Sequence, residues 1–145
     1  MRIDIFIDTD TKGLYRRDRG ATWFRMESTY KDRPITKKDR ITWIDHNRNG
    51  AALEGILFAL GQIRAKESDL YIHVSNPYIC GYSKYLPEWE KRGYKTLKGN
   101  PIKYMDMWKK ISDIAALRKN RLYFSRDVPL GEKQIVEKSE KPHKL

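Results

Sequence analysis

A single cysteine, Cys80, is present in 145 residues, which excludes an internal disulfide framework and a cysteine-based zinc site. No apolar run approaches the roughly 20 residues that span a bilayer. The opening run Ile3–Ile7 is broken by Asp4 and lacks a small-residue cleavage site, so it is not expected to be a signal peptide. A glycine-rich phosphate cradle, an internal repeat and a low-complexity block are all missing. Acids are in short supply too: 19 Asp and Glu face 30 Lys and Arg, a formal net charge of +11. A positive field of this size attracts polyanionic phosphates and raises their encounter rate, so nucleic acid is the expected class of partner and a membrane is not. What the chain does have is 39% hydrophobic and 12% aromatic residues, enough for one packed core in a soluble, cytoplasmic protein.

Periodicity places the elements. Residues 2 to 9 alternate, with Ile3, Ile5 and Ile7 on one face and Asp4, Phe6 and Asp8 on the other, which predicts a strand. Ala21–Ser28 and Ile35–Ile44 read as two further strands joined by the turn-rich Lys31-Asp32-Arg33-Pro34. Leu53, Ile56, Leu57, Leu60 and Ile63 recur at helical steps, with Asn49-Gly50 as the capping and turn signal before them. A buried strand over Leu70–Val74 completes a strand–helix–strand unit. Short helices are predicted over Pro77–Tyr85 and Leu86–Lys91, and a longer one opens at Asn100-Pro101, with the apolar stripe Met105, Trp108, Ile111 and Ala115. Leu122–Val128 is the last strand, Gly131–Glu137 at most a short helix, and residues 138–145 a polar, disordered tail beyond a single domain of residues 1–137. This order predicts an α/β fold, a five-stranded mixed sheet with flanking helices.

The stretch Leu70–Ile111 carries the most specific pattern. Trp89, Lys91, Arg92, Gly93, Tyr94, Lys95 and Thr96 are followed by Pro101, Ile102, Lys103, Asp106, Met107 and Trp108. Here the sequence resembles type I ribonuclease H, whose corresponding segment reads Trp-x-Lys-(Arg/Lys)-Gly-Trp-Lys-Thr and then Pro-Val-Lys-Asn-x-Asp-Leu-Trp. The run from Asn49 to Leu60 is similar to that family's first long helix, and the opening strand to its first strand. The resemblance implies a ribonuclease H-like fold with a basic handle that grips the DNA strand of an RNA–DNA hybrid. On this footing Lys84, Tyr85, Trp89, Lys91, Arg92, Tyr94, Lys95, Thr96, Lys98 and Lys103 are expected to bind nucleic acid, and Asn49 to meet the RNA strand. The residues agree: eight Lys and Arg against three acids lie between Lys84 and Lys110, with aromatic rings interleaved, and lysines neutralise phosphates while aromatic faces pack on sugars or bases. Trp108, on the apolar stripe, is read as core.

The resemblance also implies four metal-holding carboxylates, because two clamped divalent ions drive hydrolysis in that family. Asp8 matches the first. Ala52 stands at the second, Ser75 at the third and Ile135 at the fourth, and no histidine lies between Ser125 and Gly131. Magnesium needs hard oxygen ligands, which one carboxylate supplies poorly. Asp10 shares the Asp8 face of an extended strand and is the one candidate second ligand, although it reads better as a turn residue. Glu54 lies about 200° round the helix from Ala52 and is expected to point away. His73 is read as structural, His46 as a neighbour of the helix start, and Cys80 as packing. The expectation is therefore a nucleic-acid-binding relative without hydrolytic activity or a required cofactor. Two alternatives stand beside it: a magnesium- or manganese-dependent ribonuclease with a rearranged site, and a phage or mobile-element protein that uses the fold to bind another protein. Oligomeric state leaves no mark in the sequence.

Overall fold

A computed structural model of the chain describes residues 1–11, 15–95 and 104–126. Its elements are β1 (Arg2–Thr9), β2 (Arg17–Tyr30), β3 (Arg33–His46), α1 (Arg48–Gly61), β4 (Asp69–Val74), α2 (Pro77–Ser83), α3 (Leu86–Lys91), α4 (Met105–Leu117) and β5 (Arg121–Ser125). The five strands form one mixed sheet in the order β3-β2-β1-β4-β5. β1 runs antiparallel to β2 and parallel to β4, and β4 is parallel to β5. No helix among the described residues is long and apolar enough to cross a membrane.

The alternation in β1 divides the molecule. Ile3, Ile5 and Ile7 enter the main core with Leu53, Ile56 and Leu60 of α1 and Trp108 and Ile111 of α4. On the other face Phe6 packs with Ala21 and Trp23 of β2 in a second, small cluster. Gly55 lets α1 lie hard against β2, since a Cβ there would stand 2.4 Å from Thr22 Cγ2. Thr22 ties the two further: its hydroxyl donates to the Ala51 carbonyl at 2.8 Å and accepts from the Trp43 indole at 3.0 Å.

β2 and β3 are longer than periodicity predicts. Their ladder runs from Arg17 opposite His46 to Tyr30 opposite Arg33. Lys31 and Asp32 turn the hairpin with φ of 50° and 62°, the two-residue left-handed turn whose twist suits antiparallel strands. β3 is almost entirely exposed, so no alternation marked its ends. β5 begins one residue before the expected strand and ends at Ser125, and α2 stops at Ser83 rather than Tyr85. α4 begins at Met105, not at the expected Asn100-Pro101, because its N-cap Tyr104 is left-handed at φ 60° and the helix cannot run back through it. Asn100, Pro101, the Gly131–Glu137 segment and the 138–145 tail lie outside the described residues.

Candidate functional site

Asp8, one residue before the end of β1, is partly buried, and its Oδ1 accepts the Thr9 N–H at 2.8 Å. Asp10 is engaged with β2 and Arg17. Its Oδ2 accepts the Ala21 N–H at 3.1 Å, its own N–H donates to the Ala21 carbonyl, and Oδ1 lies 3.2 Å from the Arg17 guanidinium. Asp10 thus extends the β1–β2 ladder, a structural duty at the point where the chain leaves the sheet. Ala52, in the first turns of α1, is 1% exposed, while Ser75 presents an exposed hydroxyl just after β4. Glu54 turns away as the helical step requires, 3.3 Å from His46 Nε2. Among the described residues no group of three or more His, Cys, Asp or Glu side chains is placed to hold a metal ion. Among the described residues the donor set around Asp8 is therefore not that of a magnesium pair, which needs several hard oxygens. Ile135 lies outside the described residues.

Neutral amides join the helices at this place. Asn47, not Asn49, caps α1: its Oδ1 accepts the N–H groups of Asn49 at 3.0 Å and Gly50 at 3.1 Å, together with the Tyr104 hydroxyl at 2.7 Å. Both asparagines flank Arg48, and the helix starts one turn position earlier than its apolar stripe indicates. Asn49 is buried, and its Oδ1 accepts from Asn76 Nδ2 at 3.1 Å. Asn76 in turn caps α2, accepting the N–H groups of Tyr78 and Ile79, with Pro77 at the first helical position. Asn49 is thus a strut between α1 and α2, which corrects its expected role as a ligand-facing amide. Sequence reasoning missed Asn47, Asn76 and Tyr104, although Asn47 beside Arg48 and the Asn76-Pro77 pair both satisfy the cap rule.

His73 packs and pairs within the sheet. His73 stacks on Phe6 with ring centroids 4.6 Å apart and places Nε2 2.8 Å from Asp4 Oδ1. Partial burial alone would raise the Asp4 carboxyl, but hydrogen bonds from Arg2 and His73 outweigh it and hold Asp4 below the ordinary carboxylate value.

The handle is built on buried rings. Trp89 is 7% exposed, stacked on Tyr82 at 6.1 Å and edge-on to Trp108 at 5.6 Å. Tyr94 is buried as well, at φ 62° just after Gly93 at φ 64°. Neither ring offers a face to a ligand, so both are corrected from contact residues to the base of the handle. Apolar rings in a basic run settle inward when a core lies beneath them. Glu90 accepts the Ser112 hydroxyl, pinning α3 to α4. The exposed rings are Tyr82, at 46%, and Tyr85, at 44%, with Lys84 Nζ 5.3 Å from the Tyr85 centroid. Lys84, Lys91, Arg92 and Lys95 are all exposed, Arg92 lying 3.4 Å from Glu88 one helical turn before it. Thr96, Lys98 and Lys103 lie outside the described residues.

No protein-family model matches the chain. It is similar to ribonuclease H of Janthinobacterium sp. (strain Marseille), 24% identical over 119 residues that cover 81% of this chain and 78% of that protein. It is 34% identical to ribonuclease H of Prochlorococcus marinus (strain NATL1A) over 64 residues, 42% of this chain and 40% of the relative. The chain spans under half the length of several curated relatives it matches. Among solved structures, LC9 ribonuclease H1, a type 1 enzyme with the type 2 active-site motif, superposes with a TM-score of 0.68 at 15% identity, covering 94% of this chain and 69% of that one. LC11 ribonuclease H1 in complex with RNA/DNA hybrid gives 0.58 at 15% identity over 93% and 91% of the two chains. The fold is that of ribonuclease H.

Proposed function

We propose that this chain is a nucleic-acid-binding module that grips an RNA–DNA hybrid, or a duplex of similar shape, without hydrolysing it by the two-metal route. The observation that carries this is a contrast between what is kept and what is replaced. Lys84, Tyr85, Lys91, Arg92 and Lys95 stand exposed around the buried rings of Trp89 and Tyr94, whereas Ala52 and Ser75 stand at two of the positions where the resemblance implies metal-holding carboxylates. Cations and exposed rings suit phosphates and sugars; an isolated carboxylate does not suit paired divalent ions. Tyr82 joins Tyr85 as a ring able to meet a sugar, in place of the buried Trp89 and Tyr94.

Labelled RNA–DNA hybrid, double-stranded RNA, double-stranded DNA and single strands, each incubated with and without Mg²⁺ or Mn²⁺, test this directly. The expected outcome is salt-sensitive binding in the absence of metal and no cleavage in its presence. Lys91→Ala/Arg92→Ala/Lys95→Ala should weaken binding across all sequences and reduce the slope of log affinity against log salt by about three. Metal-dependent cleavage that disappears in Asp8→Asn would instead establish a rearranged ribonuclease. Absence of nucleic-acid binding, with a defined protein recovered in its place, would establish an interaction protein.

A further inference from the structure

Two loops meet at the end of the sheet remote from Asp8, and they gather positive charge. One joins α1 to β4 and carries Arg64 and Lys66; the other joins α4 to β5 and carries Arg118 and Lys119. Hydrogen bonds fasten the two together. The Glu67 N–H donates to the Arg118 carbonyl and the Arg121 N–H to the Ser68 carbonyl, each at 2.9 Å. The Asn120 side chain accepts the Ser68 N–H at 2.9 Å and donates to the Ala65 carbonyl at 3.1 Å. The Arg118 guanidinium donates to the Arg64 carbonyl at 3.2 Å. Cations from segments far apart in sequence thus share one fixed surface.

Acids do not match these charges. Arg64, Lys66 and Lys119 are exposed, and among the described residues no carboxylate pairs with them. Arg118 spends its hydrogen bond on a neutral carbonyl. Of the two acids beside them, Asp69 is paired with Arg121, which leaves Glu67. Residues 62–68 and 118–120 therefore hold four cations against one acid. Two helices end here, and the partial negative charge of about half a unit at each C-terminus accounts for part of the gathering. That influence fades within the last turn, whereas Arg64 and Lys66 lie three and five residues past Gly61. The remaining charge suits a polyanion.

We infer that Arg64, Lys66, Arg118 and Lys119 form a second phosphate-binding surface, which takes a second nucleic-acid duplex while the handle holds the first. β4 sets the geometry. The patch lies just before its first residue, Asp69, and the handle helices α2 and α3 follow its last, Val74. At the rise of an extended strand β4 is about 20 Å long. The two basic surfaces thus lie at opposite ends of the sheet, an arrangement that suits two duplexes better than one. Phosphate contacts need no particular base sequence, so the chain would tie together nucleic acids of any sequence. The inference rests on the nucleic-acid reading above.

The test loads the full chain onto a short, bead-bound RNA–DNA hybrid, washes, and adds a fluorescent second hybrid of the same length. The variant is Arg64→Gln/Lys66→Gln/Lys119→Gln, with a thermal melt to verify the fold; Arg118 stays because its guanidinium joins the two loops. The parent chain should capture the second hybrid and release it as salt rises. The variant should load onto the first hybrid as the parent does, yet capture at least about fivefold less of the second. Equal capture by parent and variant overturns the inference, since a dimer bridging through two handles would behave in that way. A variant that fails to load onto the first hybrid puts the patch in the same site as the handle and overturns it too. A parent chain that holds the first hybrid and captures no second one overturns the second surface and leaves the handle standing. A parent chain that binds no hybrid overturns both readings. Unlabelled double-stranded DNA should compete with the second hybrid at lower charge concentration than polyglutamate does. The reverse order assigns the patch to an acidic protein and overturns the inference.

Discussion

At the scale of single residues, the joint between the helices rests on side-chain amides. Asn47 holds three donors at once, two from α1 and the hydroxyl of Tyr104. Asn47→Ala is expected to cost about 1–2 kcal/mol, the usual worth of a helix cap, and chemical denaturation will measure it. Asp4 gives a pH signature. Its folded-state value is depressed by Arg2 and His73 against the opposing effect of burial, so its contribution is present above about pH 4 and is lost as pH falls through the lowered value. Asp4→Asn should therefore be less stable than the parent at pH 7, by about 1 kcal/mol for a partly exposed pair, and the difference should close on acidification. A constant difference from pH 7 to pH 2 in urea titrations would show that Asp4 acts through packing alone. Residue-scale legibility was uneven. Asp8, Ala52 and Ser75 could be placed because the surrounding pattern has no gaps. Asn49 could not be told from Asn47, since either asparagine beside Arg48 satisfies the cap rule.

At the scale of elements, close approach matters more than propensity. Alanine is a better helix former than glycine by up to about 1 kcal/mol, yet Gly55→Ala should destabilise the chain. The new methyl would meet Thr22 Cγ2 at 2.4 Å, and forcing α1 off β2 typically costs about 1–3 kcal/mol. A melting temperature above that of the parent would mean that the Thr22 side chain gives way. The elements that could be read from sequence were those with one buried face: β1 by its isoleucines and α1 by its leucines. β3 was cut short because both faces of an edge strand see solvent, which erases alternation. The handle's rings were assigned to a ligand for a related reason. Spacing alone cannot tell whether a tryptophan in a basic run points outward or, as Trp89 does, rests on Trp108.

At the scale of the whole molecule, the net charge is +11, and exposed Lys84, Lys91, Arg92 and Lys95 contribute to it. Each handle cation that meets a phosphate releases counterions, so affinity should fall steeply between low and physiological salt. Isothermal titration over a range of salt concentrations will count the contacts; a flat salt response would contradict a phosphate-based grip. The fold was legible because the succession of elements follows from buried faces and because the Trp89–Trp108 pattern resembles that of ribonuclease H. The chemistry was legible only where a pattern specified a residue type.

The amide joint from Tyr104 through Asn47, and from Asn49 to Asn76, has a consequence for handling the protein and for its history. Carboxylates crowded at the mouth of a sheet repel one another until ions arrive, so such a mouth keeps its shape only in a suitable electrolyte. Amides do not titrate, and a neutral amide oxygen does not repel its neighbours as a carboxylate does. The meeting point of α1, α2 and α4 should therefore hold the same geometry in EDTA as in magnesium, and at pH 5 as at pH 8, a permanent piece of scaffolding rather than one assembled by ions.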